Sequence, residues 1–140
     1  MEQHPKFQCV AEQCRQFPEH AEQLFQVYLD LSEAKDFEDL EVLPALSLGR
    51  CLIRGRHPDN GNIYLIMPCK VSEPWTMSKM EATFKALSLE QDSRLRPVSV
   101  SSPSATVPDS FTVGIIAPDS TTTYLNVYRG IPVASVQTAP

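Results

Sequence analysis

The sequence predicts an α/β (α+β) fold in which helices flank a mixed sheet of about four strands. Three features predict it. Apolar residues recur every three or four positions over residues 18–34, which is the helical period. Short apolar or alternating runs occupy residues 46–53, 63–67, 111–116 and 121–128, as strands do. The order along the chain is helix, two strands, helix, two strands.

Each element has a local reason. Residues 1–16 are polar and rich in Gln, and are expected to be a flexible arm. Pro18 suits a helix start, with Glu19 in its first turn. Ala21, Leu24, Phe25, Tyr28 and Leu31 then share one face. Residues 36–44 read as a connector, because Pro44 limits regular structure. The two runs 46–53 and 63–67 flank Gly55-Arg56-His57-Pro58-Asp59-Asn60-Gly61. Asn60-Gly61 is a strong turn signal, so a hairpin is expected. Residues 63–67 lack a polar break and should be buried on both faces. Thr76 can cap a helix over 77–87, with Met80, Phe84 and Leu87 on one side. Residues 89–109 are rich in Ser and Pro without a periodic apolar face, the composition of a disordered loop. Phe111, Val113 and Ile115 begin the last pair of strands, Pro118-Asp119-Ser120 turns the chain, and residues 121–128 alternate. There Leu125 and Val127 should face one way, and Tyr124, Asn126 and Tyr128 the other. Residues 133–140 read as a tail. The expectation is therefore one domain over 17–132.

Charge and composition exclude several functions. The net charge is −5, and residues 1–49 alone carry −7 while residues 50–85 carry +3. An acidic chain is a poor autonomous ligand for nucleic acid, whose affinity comes from neutralised phosphates. The alternating Arg50, Arg54 and Arg56 can leave one sheet face, as surface charge or as a phosphate contact within an assembly. No run approaches the ~20 apolar residues of a membrane span, so no membrane association is expected. The first 15 residues lack the apolar core of a secretion signal, so a cytosolic or nuclear site is expected. Cys9, Cys14, Cys51 and Cys69 are scattered and lack a matching His pair, so reduced thiols and no metal or cofactor are expected.

Candidate chemistry is sparse. His4 lies in the arm and His20 is expected to face solvent. His57 beside Arg54 and Arg56 is the arrangement nearest to a metal-free nuclease, which needs a base, an acid and a cation. Glu33, Asp36, Glu38, Asp39 and Glu41 form a run but no matched catalytic pair, and read as a solvated or partner-binding strip. Trp75 reads as a structural plug. The aromatic last strand carries the strongest functional signal, since edge amides and carbonyls need partners.

Several segments together resemble a known family. Val27-Tyr28-Leu29-Asp30-Leu31-Ser32-Glu33-Ala34-Lys35, then Phe37, resembles the helix of the small accessory subunit (subunit fifteen) of the eukaryotic tRNA-splicing endonuclease. Ser110-Phe111-Thr112-Val113-Gly114-Ile115-Ile116, then Asp119-Ser120-Thr121 and Tyr124, resembles its C-terminal hairpin, and His4-Pro5-Lys6-Phe7 the start of its folded part. Order and spacing agree over residues 4–132, and residues 49–95 match in pattern only.

The resemblance implies the endonuclease C-terminal (restriction-endonuclease-like) fold, a heterotetramer that excises introns from precursor tRNA, and a nuclear location. It implies pairing with the catalytic subunit that cuts the 3′ splice site, through Thr123, Tyr124, Leu125, Asn126, Val127 and Tyr128. The other subunits of the heterotetramer are then also partners, and contact with precursor tRNA is indirect. It places an inter-dimer docking loop at Pro118, Asp119 and Ser120, where Asp119 is the one acid. It also implies no catalytic residue here: the family's histidine falls at Asn60 or Gly61, its lysine at Asp109 or Ser110, and no tyrosine precedes the turn at the matching place. A metal-independent ribonuclease using His57, an unrelated β-edge adaptor, and a homodimer of the isolated chain are the alternatives.

Overall fold

A mixed sheet organises the chain, with helices on both faces. The structure is a computed structural model that describes residues 3–90, 93–95, 110–128 and 137–138. The strands are β1 (Glu38–Ala45), β2 (Arg50–Arg56), β3 (Ile63–Lys70), β4 (Ser110–Ile116), β5 (Thr122–Tyr128) and the two-residue β6 (Gln137–Thr138). The helices are α1 (Ala11–Gln16), α2 (Ala21–Leu29) and α3 (Met77–Ser88). The strands lie side by side in chain order. Neighbours are antiparallel except β3 and β4, which are parallel. A parallel pair needs a crossover, and α3 lies within it.

Strand alternation builds two cores from one sheet. Leu52, Leu65, Met67, Phe111 and Val127 join Phe84 and Leu87 of α3 on one face. Cys51, Ile53, Ile66 and Tyr124 join Leu24, Phe25 and Val27 of α2 on the other. Leu65, Ile66 and Met67 are each 1% exposed, so the second half of the 63–67 run is buried on both faces as its unbroken apolar sequence predicts, while Ile63 and Tyr64 are half-buried. Gly114 lets α2 approach β4: a Cβ there would sit 3.3 Å from each of Ile66, Tyr124 and Val27.

The helices match the sequence closely. After a short 3₁₀ turn at Pro18–His20, α2 runs into a π turn at Asp30–Ala34. The Thr76 hydroxyl accepts from the Lys79 amide at 3.1 Å and caps α3. Trp75 packs beside Phe111, with ring centres 6.1 Å apart. The β2–β3 hairpin forms, with Gly61 at φ 70°, a value that suits glycine.

Three expectations fail. Residues 5–16 are no flexible arm: a 3₁₀ turn (Pro5–Cys9) and α1 fold back on α2. Val10 is fully buried and Phe7 meets Phe25 edge-on at 5.4 Å. Few but well-spaced apolar residues suffice here, because α2 supplies the other half of the contact.

Residues 38–45 are a strand rather than a connector. β1 is the sheet's outer strand, where a proline costs no ladder bond on the open side, so Pro44 is tolerated. Its register slips between Glu38 and Glu41, with Asp39 at φ 53°, as at a bulge. The next strand begins at Arg50 instead of residue 46, and Leu46 is exposed in the intervening turn. Of the expected loop at 89–109, Leu95 is buried at 1% exposure, and residues 96–109 lie outside the described residues. So does most of the expected tail, apart from β6.

Candidate interaction edge

The β5 strand leaves its partner β4 on one side and presents main-chain groups on the other. All seven of its residues pair with β4, from Thr122↔Ile116 to Tyr128↔Ser110. On the outer side only Leu125 and Asn126 have partners among the described residues, namely Thr138 and Gln137 of β6. Tyr124 is 3% exposed and Val127 5%, so these two side chains lie in the protein's own cores and cannot form a partner surface. Thr123 is exposed, and Leu125 and Asn126 are half-buried. The Tyr128 side chain lies outside the described residues. An interface at β5 must therefore use main-chain pairing, with Thr123, Leu125 and Asn126 beside it.

Buried polar bonds hold this strand rigid. Tyr124 donates its hydroxyl to Asp30 Oδ2 at 2.5 Å, tying β5 to the π turn after α2. Burial first, then the Asp30 bond and charge, pushes the phenol pKa upward, so it remains a donor. Thr112 Oγ1 donates to Asn126 Oδ1 at 2.8 Å across the β4–β5 pair. The β4–β5 turn is equally fixed. Ser120 donates to the Ala117 carbonyl at 2.9 Å, and Thr121 donates its amide to Asp119 Oδ1 at 3.0 Å. Ser120 adopts φ 70°. The hydrogen bonds from Thr121, side chain then amide, hold the Asp119 carboxyl below its usual range. Pro118, Asp119 and Ser120 thus form a preorganised knob at the surface.

The basic stripe does not assemble. Arg50 is only 6% exposed. It grips Glu73 through both guanidinium nitrogens, at 2.8 and 2.9 Å, and Lys79 reaches the same carboxylate at 2.6 Å. The β3–α3 connection brings Glu73 there, and a paired carboxylate makes burial of the arginine tolerable. Burial opposes ionisation of Glu73, but the bonds from Arg50 and Lys79 outweigh it and draw the pKa down to about 2. His20, expected in solvent, is half-buried with Nδ1 3.0 Å from Arg50 Nη2. Since arginine only donates, His20 accepts there, and its pKa is lowered by burial and then by Arg50. Burial pushes the Cys69 thiol beside this cluster up to about 12. Arg56 pairs with exposed Asp39 at 3.3 Å, while Arg54 is half-buried.

The remaining candidates are occupied by the fold. His57 Nδ1 accepts the Asp59 amide at 3.1 Å, closing its own loop, and its ring lies 5.3 Å from Phe37 and 6.2 Å from Tyr64. Lys70 lies at the opposite end of β3, roughly 20 Å away at ~3.3 Å per strand residue. Glu33 faces His4 and Lys6, and Glu41 bonds Arg94 at 2.7 Å. Among the described residues no three His, Cys, Asp or Glu side chains gather as a metal site, and no helix is long and apolar enough to cross a membrane. Sequence reasoning missed the Arg50–Glu73–Lys79–His20 cluster, since no spacing of 20, 50, 73 and 79 signals it.

These features define a class of protein: an α+β domain with a mixed sheet in which, among the described residues, only Leu125 and Asn126 of β5 have a partner on the outer side. The family model for the Sen15 protein matches residues 26–135, well over half of the chain. The chain belongs to that family, subunit fifteen of the tRNA-splicing endonuclease. A search of curated proteins gives no match.

Proposed function

We propose that this chain is a non-catalytic structural subunit that joins the catalytic subunit cutting the 3′ splice site, through the outer edge of β5, in the nucleus. The observation that carries this reading is the outer side of β5, where among the described residues only two of its seven positions, Leu125 and Asn126, have a partner. An edge strand with free amides and carbonyls is a template for another chain. The fixed turn at Pro118, Asp119 and Ser120 supports a second contact with the other half of the assembly, because preorganisation lowers the cost of binding. The engaged Nδ1 of His57 and its distance from Lys70 at the far end of β3 support the absence of a catalytic role.

Co-expression with the catalytic subunit tests the pairing. Leu125→Asp places a charge beside the edge without entering a fully buried position, and is expected to abolish co-purification while the circular dichroism of the isolated chain stays unchanged. Val127 is unsuitable for this purpose because it belongs to the core. Co-purification of the folded Leu125→Asp variant at the wild-type level refutes pairing through β5.

A further inference from the structure

We propose that the cleft between α2 and the ends of β3 and β4 is a docking site for a short extended peptide segment of a protein partner, held by its main chain at Gln23. The sheet topology makes the cleft. β3 and β4 are the parallel pair and end side by side, with Lys70 opposite Ile116. The chain then parts, toward α3 after Lys70 and into the β4–β5 turn after Ile116. Such a parting at the carboxyl ends of parallel strands leaves a crevice, and the first turns of α2 wall it. Its volume is about 330 Å³, at the lower end of the ~300–1,000 Å³ of ligand sites. That suits a short stretch of chain and not a folded surface.

One buried group sets the chemistry of the ligand. Gln23 lines the cleft and is 4% exposed, and its Oε1 is buried without a hydrogen-bond donor. A buried acceptor left unpaired is costly and rare. It calls for an N–H or O–H, and a primary amide matches the N–H and C=O of a peptide bond. A phosphodiester offers acceptors only and cannot satisfy it. The rim carries one exposed charge of each sign, Glu22 on α2 and Lys70 on β3. A rim without net charge suits an uncharged main chain and gives a nucleic-acid backbone no electrostatic gain. Ile116 and Val71, the latter 56% exposed, add apolar wall for a side chain of the segment. Pro118 and Ser120 of the β4–β5 turn line the same cleft. A protein that touches the turn therefore has its own chain beside Gln23, so the source of the segment rests on the second contact proposed above.

The test titrates the full-length chain with a blocked trialanine peptide (N-acetyl, C-terminal amide) and, separately, with uridine monophosphate, followed by NMR. The peptide is expected to shift the Gln23 side-chain amide and the main-chain amides of Val71 and Ser72 saturably, with a Kd of about 1 mM or weaker for so small a ligand. Uridine monophosphate should leave them in place. Gln23→Met keeps the length of the side chain and removes the amide. It is expected to weaken the peptide about tenfold and to raise the Tm of the free chain by about 3 °C or more, since an unpaired buried group is gone. Should that variant misfold, the Gln23 amide resonances of the wild type decide alone. A cleft that ignores the peptide, takes the nucleotide instead, or binds the peptide equally with Met at position 23 overturns the site. The assembled endonuclease separates this inference from the second contact. Gln23→Met and Asp119→Ala are both expected to loosen the tetramer while co-purification with the catalytic subunit persists. A loss with Asp119→Ala alone overturns the cleft and leaves the second contact standing, and a loss with neither overturns both.

Discussion

Removing the charge of Glu73 should cost more stability than any surface substitution, and the cost should vanish in acid. Glu73→Gln keeps shape and leaves Arg50, 6% exposed, without its counter-charge. The fall of the Glu73 pKa from 4.5 to about 2 corresponds to about 3 kcal/mol in favour of the charged form. The side chain is 20% exposed, and screening trims this to about 2 kcal/mol. For a chain of this size that lowers Tm by roughly 6 °C. The pH dependence has a definite sign. A carboxylate with a depressed folded pKa stabilises fully above its unfolded value, here near 4.5, and loses that contribution as pH falls toward 2. Urea unfolding of both proteins should therefore show a gap of about 2 kcal/mol at pH 7, shrinking to less than about half by pH 3. A gap equal at both pH values, or below about 0.5 kcal/mol at pH 7, refutes the assignment of the stabilisation to this ion cluster.

Other substitutions probe other joints. Tyr124→Phe removes the bond to Asp30 and should cost about 1–2 kcal/mol in urea unfolding, since the half-buried carboxylate loses its donor. Gly114→Ala pushes a methyl against β3, β5 and α2 together, three neighbours that cannot all yield, and should destabilise by about 1 kcal/mol or more in thermal melts. His57→Ala is expected to leave precursor tRNA cleavage by the assembled endonuclease unchanged, and a loss of cleavage with intact assembly would restore the catalytic alternative.

Much of the architecture was legible because it depends on local chemistry. The period of Leu24, Phe25, Tyr28 and Leu31 gives α2, Thr76 gives the start of α3, and the unbroken run before Met67 gives a strand buried twice. β1 escaped because a proline penalises a strand only when both of its edges are used, and edge position is a property of the sheet. The N-terminal turns escaped because their stability comes from α2 and not from their own composition.

The sequence by itself determined the two periodicities, and hence which side chains could share a face, together with the turns that reverse the chain. It also held the segments by which the family was visible. Only the tertiary structure decided that Arg50 is a buried partner of Glu73 and not a surface cation, that Tyr124 points inward to Asp30, and that β6 lies on the edge of β5. Each of these joins residues far apart in the chain, at separations of 23, 94 and 11 or 13 positions. The physical reason is that burial and pairing are set by which elements meet, and no local pattern of residues encodes the meeting.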